Sequence, residues 1–207
     1  MLLGTTYCRV VELLPAVFSS GWASGVNAYL VVLALGLWGR TTGADTVPDA
    51  LMRTDVLVAA GVMFAIEFVT DKIPYVDSLW DTISTAIRPT VGAVIGLLLA
   101  GDASSVEQAT MAAVGGGSAL ASHLVKAGIR LAVNGSPEPV SNVSVSLGED
   151  LTVAGVVTLV VFHPWWALGI SATLLVLGIV IVVLLLRWVR RGWRRRREGR
   201  LSGSTAR

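Results

Sequence analysis

The chain lacks most of what a soluble catalytic or metal site is built from. Cys8 is its one cysteine, so no disulfide can close within the chain, and a lipoprotein signal around LGTTYC has neither a charged start nor an apolar stretch before it. The only histidines are His123 and His163, and with Cys8 they do not have the spacing of a metal site, so no metal or other cofactor is expected. Phosphate-loop and nucleophile-elbow patterns are absent. A Ser/His/Asp set cannot be judged by spacing, because its members meet only in the fold. No catalytic residue is assigned, and the chain is not read as an enzyme. Charge is scarce as well, at 14% of residues, where soluble domains carry about 25%.

Apolar sequence fills the gap, at 54% of 207 residues. Residues 170–186 (ISATLLVLGIVIVVLLL) carry no charge and are followed by RWVRRGWRRRREGR. Such a run crosses about one bilayer core when helical, and arginine crowded at one end holds that end in the cytoplasm. An all-α, multi-pass protein of a bacterial inner membrane is expected, with six spans over residues 20–39, 55–70, 83–101, 115–134, 151–166 and 169–186. Arg88-Pro89 interrupts the third span, and the fourth is the most polar. An even count puts both termini in the cytoplasm. Nine of the 16 basic residues lie at Arg187 or beyond. This tail, residues 191–207, reads as disordered, with Arg190 to Arg197 touching anionic lipid headgroups. No fold surrounds it, so nucleic acid is not an expected partner.

Sliding the chain by 95 residues aligns Val11-Glu12 with Val106-Glu107, Gly21 with Gly116, and Asp55 with Asp150. This divides the chain into repeats at residues 1–101 and 102–190. Each holds a short helix (10–18; 106–114), a Gly/Ser break and three spans. An odd number of spans inverts the second half relative to the first, an arrangement typical of secondary transporters with a midplane site.

The polar residues inside the spans carry the chemistry. His123, Lys126 and Arg130 fall on one helix face, which Asn134 extends. Cations in hydrocarbon cost ~2.5–3.5 kcal/mol each at the centre, so this stripe faces protein or water. It is a candidate anion site, together with Asn27 and Arg88. Its alternatives are structural pairing with acids on other spans and, for Arg130, snorkelling to the interface. Glu67 and Asp71 share a face of the second span, and Asp77 and Asp81 follow. Glu67, Asp71 and Asp150 are candidates to carry a coupling proton or ion. For Glu149 and Asp150 a helix N-terminus is the simpler account. Asn27, Ser20 and Ser24 form a polar stripe on the first span, which serves as helix glue or as part of a ligand site.

The blocks GWASGVNAYL, EFVTDKIPYVDSLWD with the following RPTVGA, and HLVKAGIRLAVNGSPEPVSNVSVSLGED resemble a family of small bacterial integral membrane proteins known only as a domain of unknown function. The resemblance covers roughly residues 10–170 and implies a multi-pass membrane location without an activity. EFVTDK also resembles the Glu-x-Gly-Asp-Lys-Thr/Ser motif of a family of cation/proton exchangers. Here the spacing differs, the glycine is absent, and the second half has SLGED. Three functions are expected in order: a small proton-coupled carrier or flippase for an anionic solute or lipid phosphate; a non-transporting scaffold or assembly factor; and a cation/proton exchanger using the buried acids. A second copy of the chain is a candidate partner.

Overall fold

The computed structural model describes residues 2–73, 76–134 and 139–204, without the side chains of 2–10, 77–78, 132–134, 139–142, 189 and 192–204. The expectations placed on Cys8, Asp77, Asn134 and the arginines beyond Arg191 lie outside the described side chains. Among the described residues seven helices follow in order: α1 (Leu2–Thr42), α2 (Asp49–Met52), α3 (Thr54–Thr70), α4 (Val76–Ala100), α5 (Ser105–Asn134), α6 (Pro139–Phe162) and α7 (Pro164–Ser204). No strand occurs among the described residues, in keeping with the all-α expectation.

Helix α1 is not continuous. Asn27 leaves the helical region, at φ −150° and ψ 96°. Its Oδ1 accepts a hydrogen bond from the Leu30 backbone N–H at 3.0 Å, the geometry of a helix N-cap. The result is two arms, residues 2–26 and 28–42. Ala16 on the first and Leu35 on the second line one cavity of about 20 Å³. A straight helix would hold these residues ~28 Å apart, so the arms fold back on each other. The break does not fall at Ser19–Gly21 or at Gly115–Gly117, where the Gly/Ser composition places it; α1 and α5 pass through both stretches as helix.

Side-chain contacts fix the direction of every long helix relative to the Asn27 end. The first arm approaches it alongside α5: Ser118, Ser122 and Lys126 donate to the carbonyls of Phe18, Trp22 and Val26, each 100 positions away. Equal steps of four on both helices mean that the two run parallel. The second arm leaves that end and α3 returns to it, with Gly36 against Leu57 and Leu33 near Gly61. Helix α4 leaves it, from Arg88 beside Gly25 to Ala100 packed on Val17. Helix α6 also leaves, from Asp150 on Asn27 to Phe162 on Trp38. Helix α7 returns, with Ser171 on Ser19, Gly178 on Val125 and Val182 on Gly128.

By length and composition, four helical stretches among the described residues could cross a membrane: Val11–Thr42, Leu79–Ala100, Val143–Phe162 and Pro164–Trp188. The first of these contains the break, so it is two arms rather than one rod. Helix α7 exposes apolar residues along its length, among them Val176, Leu177, Ile181, Leu184 and Leu186. A patch of that extent is costly in water and is compatible with a membrane protein. Helix α7 continues to Ser204, so residues 191–204 of the arginine tail are helical where its charge leads to an expectation of disorder; arginine is a good helix former.

Glycine lets the central helices touch. A β-carbon on Gly115 would overlap the Gly92 carbonyl oxygen, and one on Gly25 would overlap Ser122 and Ala119. Gly117, two residues on, has open space at the same position. Gly115→Ala is therefore expected to destabilise the protein by ~1–3 kcal/mol through overpacking. Gly117→Ala should be neutral or stabilise by up to ~1 kcal/mol through helix propensity. Unfolding of the purified variants in detergent checks the pair, and equal effects at both positions would sink this account of the contact.

Candidate functional site

The end of the bundle at which α1 breaks collects nearly all the buried charge. Glu67 is fully buried; Arg88 and Arg130 are 1% exposed and Lys126 3%. At these burials the groups cannot be solvated surface charges, so their partners decide whether they are tolerable.

The first group surrounds Arg88. Its Nη2 meets Glu67 Oε1 at 2.5 Å, and its Nη1 meets Asp81 at 3.1 Å. The same Nη1 donates to His123 Nδ1 at 2.9 Å and to the Gly25 carbonyl at 3.4 Å. A guanidinium has no acceptor, so His123 Nδ1 accepts, and the ring hydrogen sits on Nε2. Nε2 lies 2.9 Å from Thr85 Oγ1, which itself donates to the Asp81 carbonyl at 3.0 Å. The chain of donation therefore runs from Arg88 through His123 and Thr85 to the Asp81 backbone. In this arrangement His123 is neutral, because a protonated ring could not accept from Arg88.

The second group surrounds Lys126 and Arg130. Lys126 Nζ contacts Asp71 Oδ2 at 3.0 Å, Glu149 Oε2 at 3.3 Å and the Val26 carbonyl at 2.9 Å. Arg130 Nη2 contacts the same Glu149 oxygen at 2.7 Å and Asp71 Oδ2 at 3.6 Å, and its Nη1 donates to the Asp71 carbonyl at 3.0 Å. The two cations share the same two carboxylates. Asn27 Nδ2 donates to Asp150 Oδ1 at 3.0 Å and so ties the break to α6. At the rim, Lys72 lies over the Phe68 ring and donates to the Phe68 carbonyl. Burial holds the Lys72 ammonium below its ordinary pKa, against the pull of Asp150 and Asp71.

All eight residues singled out in the sequence meet here: His123, Lys126, Arg130, Asn27, Arg88, Glu67, Asp71 and Asp150. Of the polar stripe on the first arm, Ser24 donates to the Arg88 carbonyl, while Ser20 is buried without a hydrogen-bond partner among the described residues. The helix-terminus account of Glu149 and Asp150 does not hold: α6 starts at Pro139, which leaves both acids inside the helix. Glu149 instead pairs with Lys126 and Arg130. Thr85 is a member that sequence reasoning missed. Four residues after Asp81 it stands on the face of α4 that leads to Arg88, but an isolated threonine carries no signal of its own.

Among the described residues, the network holds five carboxylates (Glu67, Asp71, Asp81, Glu149, Asp150) against three buried cations, with Lys72 at the edge. Glu67 Oε2 has no hydrogen-bond partner there. No group of three or more His, Cys, Asp or Glu placed to hold a metal ion occurs among them. What the arrangement can do chemically is take up protons, or exchange its internal carboxylates for another anion.

A family model described as a domain of unknown function (DUF4126) matches residues 14–184. No curated protein and no solved structure matches the chain.

Removing Arg88 would leave Glu67 and Asp81 without their cation. Arg88→Met is expected to cost ~3–5 kcal/mol, as for other broken buried pairs. Adding Glu67→Gln should recover part of that loss, since the lone buried charge is then gone. A double-mutant cycle measured by unfolding in detergent checks it; additive losses would mean that the pair is not energetically coupled.

Proposed function

The chain belongs to the DUF4126 family, a membership that assigns no activity, and we propose that it is a proton-coupled carrier of an anionic solute in a bacterial inner membrane. One observation carries the reading. Lys126 and Arg130 are held by the same two carboxylates, Asp71 and Glu149, which occupy the positions an incoming anion would take. An anion can displace them without stranding buried negative charge only if they take up protons. Proton binding and anion binding then favour each other, which is the thermodynamic requirement for symport. Glu67, with one buried oxygen unpartnered, is a further proton acceptor in the same network.

The architecture supports this reading in part. The second arm of α1 with α3 and α4 runs away from, toward and away from the broken end; α5, α6 and α7 run in the opposite senses. Two triplets of opposed direction are what inverted three-span repeats require, giving six spans with the first arm packed beside them. Asp55 and Asp150, aligned by the shift of 95, stand at opposite ends, as inversion demands. The repeat boundaries at residue 1 and residue 102 fit less well. The first arm and the start of α5 run parallel, with Val17 packed near Met111, so the two halves as divided there begin on the same side. The inverted relation is kept for the triplets alone. The second arm is only ~22 Å long, short of a ~30 Å hydrocarbon core, so a discontinuous helix ends within the membrane. The arginine-rich end of α7 lies beyond the broken end of the bundle, and the positive-inside rule then favours a cytoplasmic side for the network.

A scaffold is the second reading, favoured by the direct pairing of every buried cation with a carboxylate. A cation/proton exchanger would use the same acids but leaves the shared pairing of Lys126 and Arg130 without a role.

In reconstituted vesicles, the carrier reading expects an imposed acid gradient to accelerate uptake of an anion from a panel of inorganic phosphate and small carboxylates. Asp71→Asn and Glu149→Gln should each abolish the acceleration while retaining the fold. A scaffold would instead move no anion. Its Lys126→Gln variant would lose ~3–5 kcal/mol, and Asp71→Asn in the same chain would restore it.

A further inference from the structure

The first arm of α1 ends at Val26, and the break at Asn27 leaves the last carbonyls of that arm without helical partners. Helix C-termini carry partial negative charge, and discontinuous membrane helices use such carbonyls to hold cations. Here the Gly25 carbonyl faces Arg88 at 3.4 Å and the Val26 carbonyl faces Lys126 at 2.9 Å. Around Lys126 Nζ the set is complete enough to be a site: Val26 O at 2.9 Å, Asp71 Oδ2 at 3.0 Å and Glu149 Oε2 at 3.3 Å. The three oxygens come from α1, from the residue that ends α3, and from α6. The group they hold is an ammonium on a stem from α5.

We propose that this is a monovalent-cation site in which Lys126 is the resident ion, tethered to the chain. The distances are those of an ammonium or of an ion as large as potassium. They exceed the ~2.3–2.6 Å of calcium sites and the ~2.0–2.1 Å of magnesium. Two carboxylates and a helix-end carbonyl define a strongly negative point, and Arg130 contacts the same two acids from one side without filling it. The tether supplies the cation at fixed concentration, so the wild-type protein holds its broken helix together without a free alkali ion. Without the side chain, the oxygens remain and the site takes a free cation of similar size. This inference does not depend on transport, and its test has no transport readout.

The experiment is thermal unfolding of the purified full chain in detergent at constant ionic strength. Choline chloride is compared with potassium chloride and n-propylammonium chloride, and n-propanol serves as the uncharged control. Propylammonium has the atoms that Lys126→Ala removes. Wild type should unfold at the same temperature in all four. Lys126→Ala should unfold roughly 10 °C lower in choline, as expected for a broken buried pair in a chain of this size. It should recover saturably with propylammonium, partly with potassium, and not with propanol. Equal recovery with propanol would reduce the effect to cavity filling and overturn the proposal, and so would indifference to every cation. If Lys126→Ala is not recovered from membranes in choline, extraction in propylammonium decides: recovery only there supports the site, and recovery in neither overturns it. Lys126→Val, which keeps part of the apolar stem and leaves the place of the ammonium open, supplies the potassium comparison independently. A potassium-dependent rise supports the site; none overturns it.

Discussion

A helix interrupted inside an apolar bundle exposes backbone groups that water would otherwise satisfy, and that constraint organises this molecule. The second arm of α1 needs a partner for its first N–H groups, and Asn27 Oδ1 supplies one. The first arm needs partners for its last carbonyls, and Arg88 and Lys126 supply them. Those cations are tolerable only beside acids, which come from α3, α4 and α6. The order of helices around the break follows from that demand. So does the need for glycine at Gly25, Gly92 and Gly115, since helices held apart by larger side chains could not bring the charges within bonding distance.

Ion pairs this deeply buried are not an economical route to stability. Desolvating each charge costs several kcal/mol, and an apolar replacement of similar shape is often as stable or more so. The apolar core beside the broken helix, from Trp22 and Val26 through Leu35 to Val157 and Val160, joins α1 to α2, α4, α6 and α7 without charge. No residue of α3 or α5 belongs to that core, so these two helices are tied to the broken one in part through the ionic network. The sharing pattern is specific on this point. Glu149 Oε2 and Asp71 Oδ2 each contact both Lys126 and Arg130. On the carrier reading, two cations held by two carboxylates form a site that a third anion enters by exchange.

Much of the network was legible because helical periodicity is. His123, Lys126 and Arg130 share a face by spacing alone, as do Glu67 and Asp71, and the cost of charge in hydrocarbon required such faces to meet. Which acid would pair with which cation was not legible, because that depends on helix directions. The break was misplaced for a physical reason. Glycine and serine near 20 and 115 were read as helix breakers, but packed helices use small residues to approach one another, and both stretches stay helical. The residue that does break the helix, Asn27, is an ordinary N-cap type with no proline or glycine beside it, so its signal was indistinguishable from polar glue. The acids of α6 were misread because that helix starts ten residues before Glu149, at a proline that opens it.

Asn27 links the broken backbone to the ionic network. Its Oδ1 caps the second arm, while its Nδ2 holds Asp150 on α6. One planar amide therefore fixes the start of a helix relative to an acid on another. Neither bond can be changed without turning the amide, and turning it releases both. On the carrier reading, a change of charge at Asp150 acts directly on the residue that terminates the first arm. The carbonyls of Gly25 and Val26, and the cations bound to them, lie within two residues of that pivot. The apolar core reaches Val26 on the first arm and resumes at Val31 on the second, so this pivot lies at its edge. The broken helix thus places its cap, its bond to Asp150 and the carbonyls that hold Arg88 and Lys126 within a single turn of backbone.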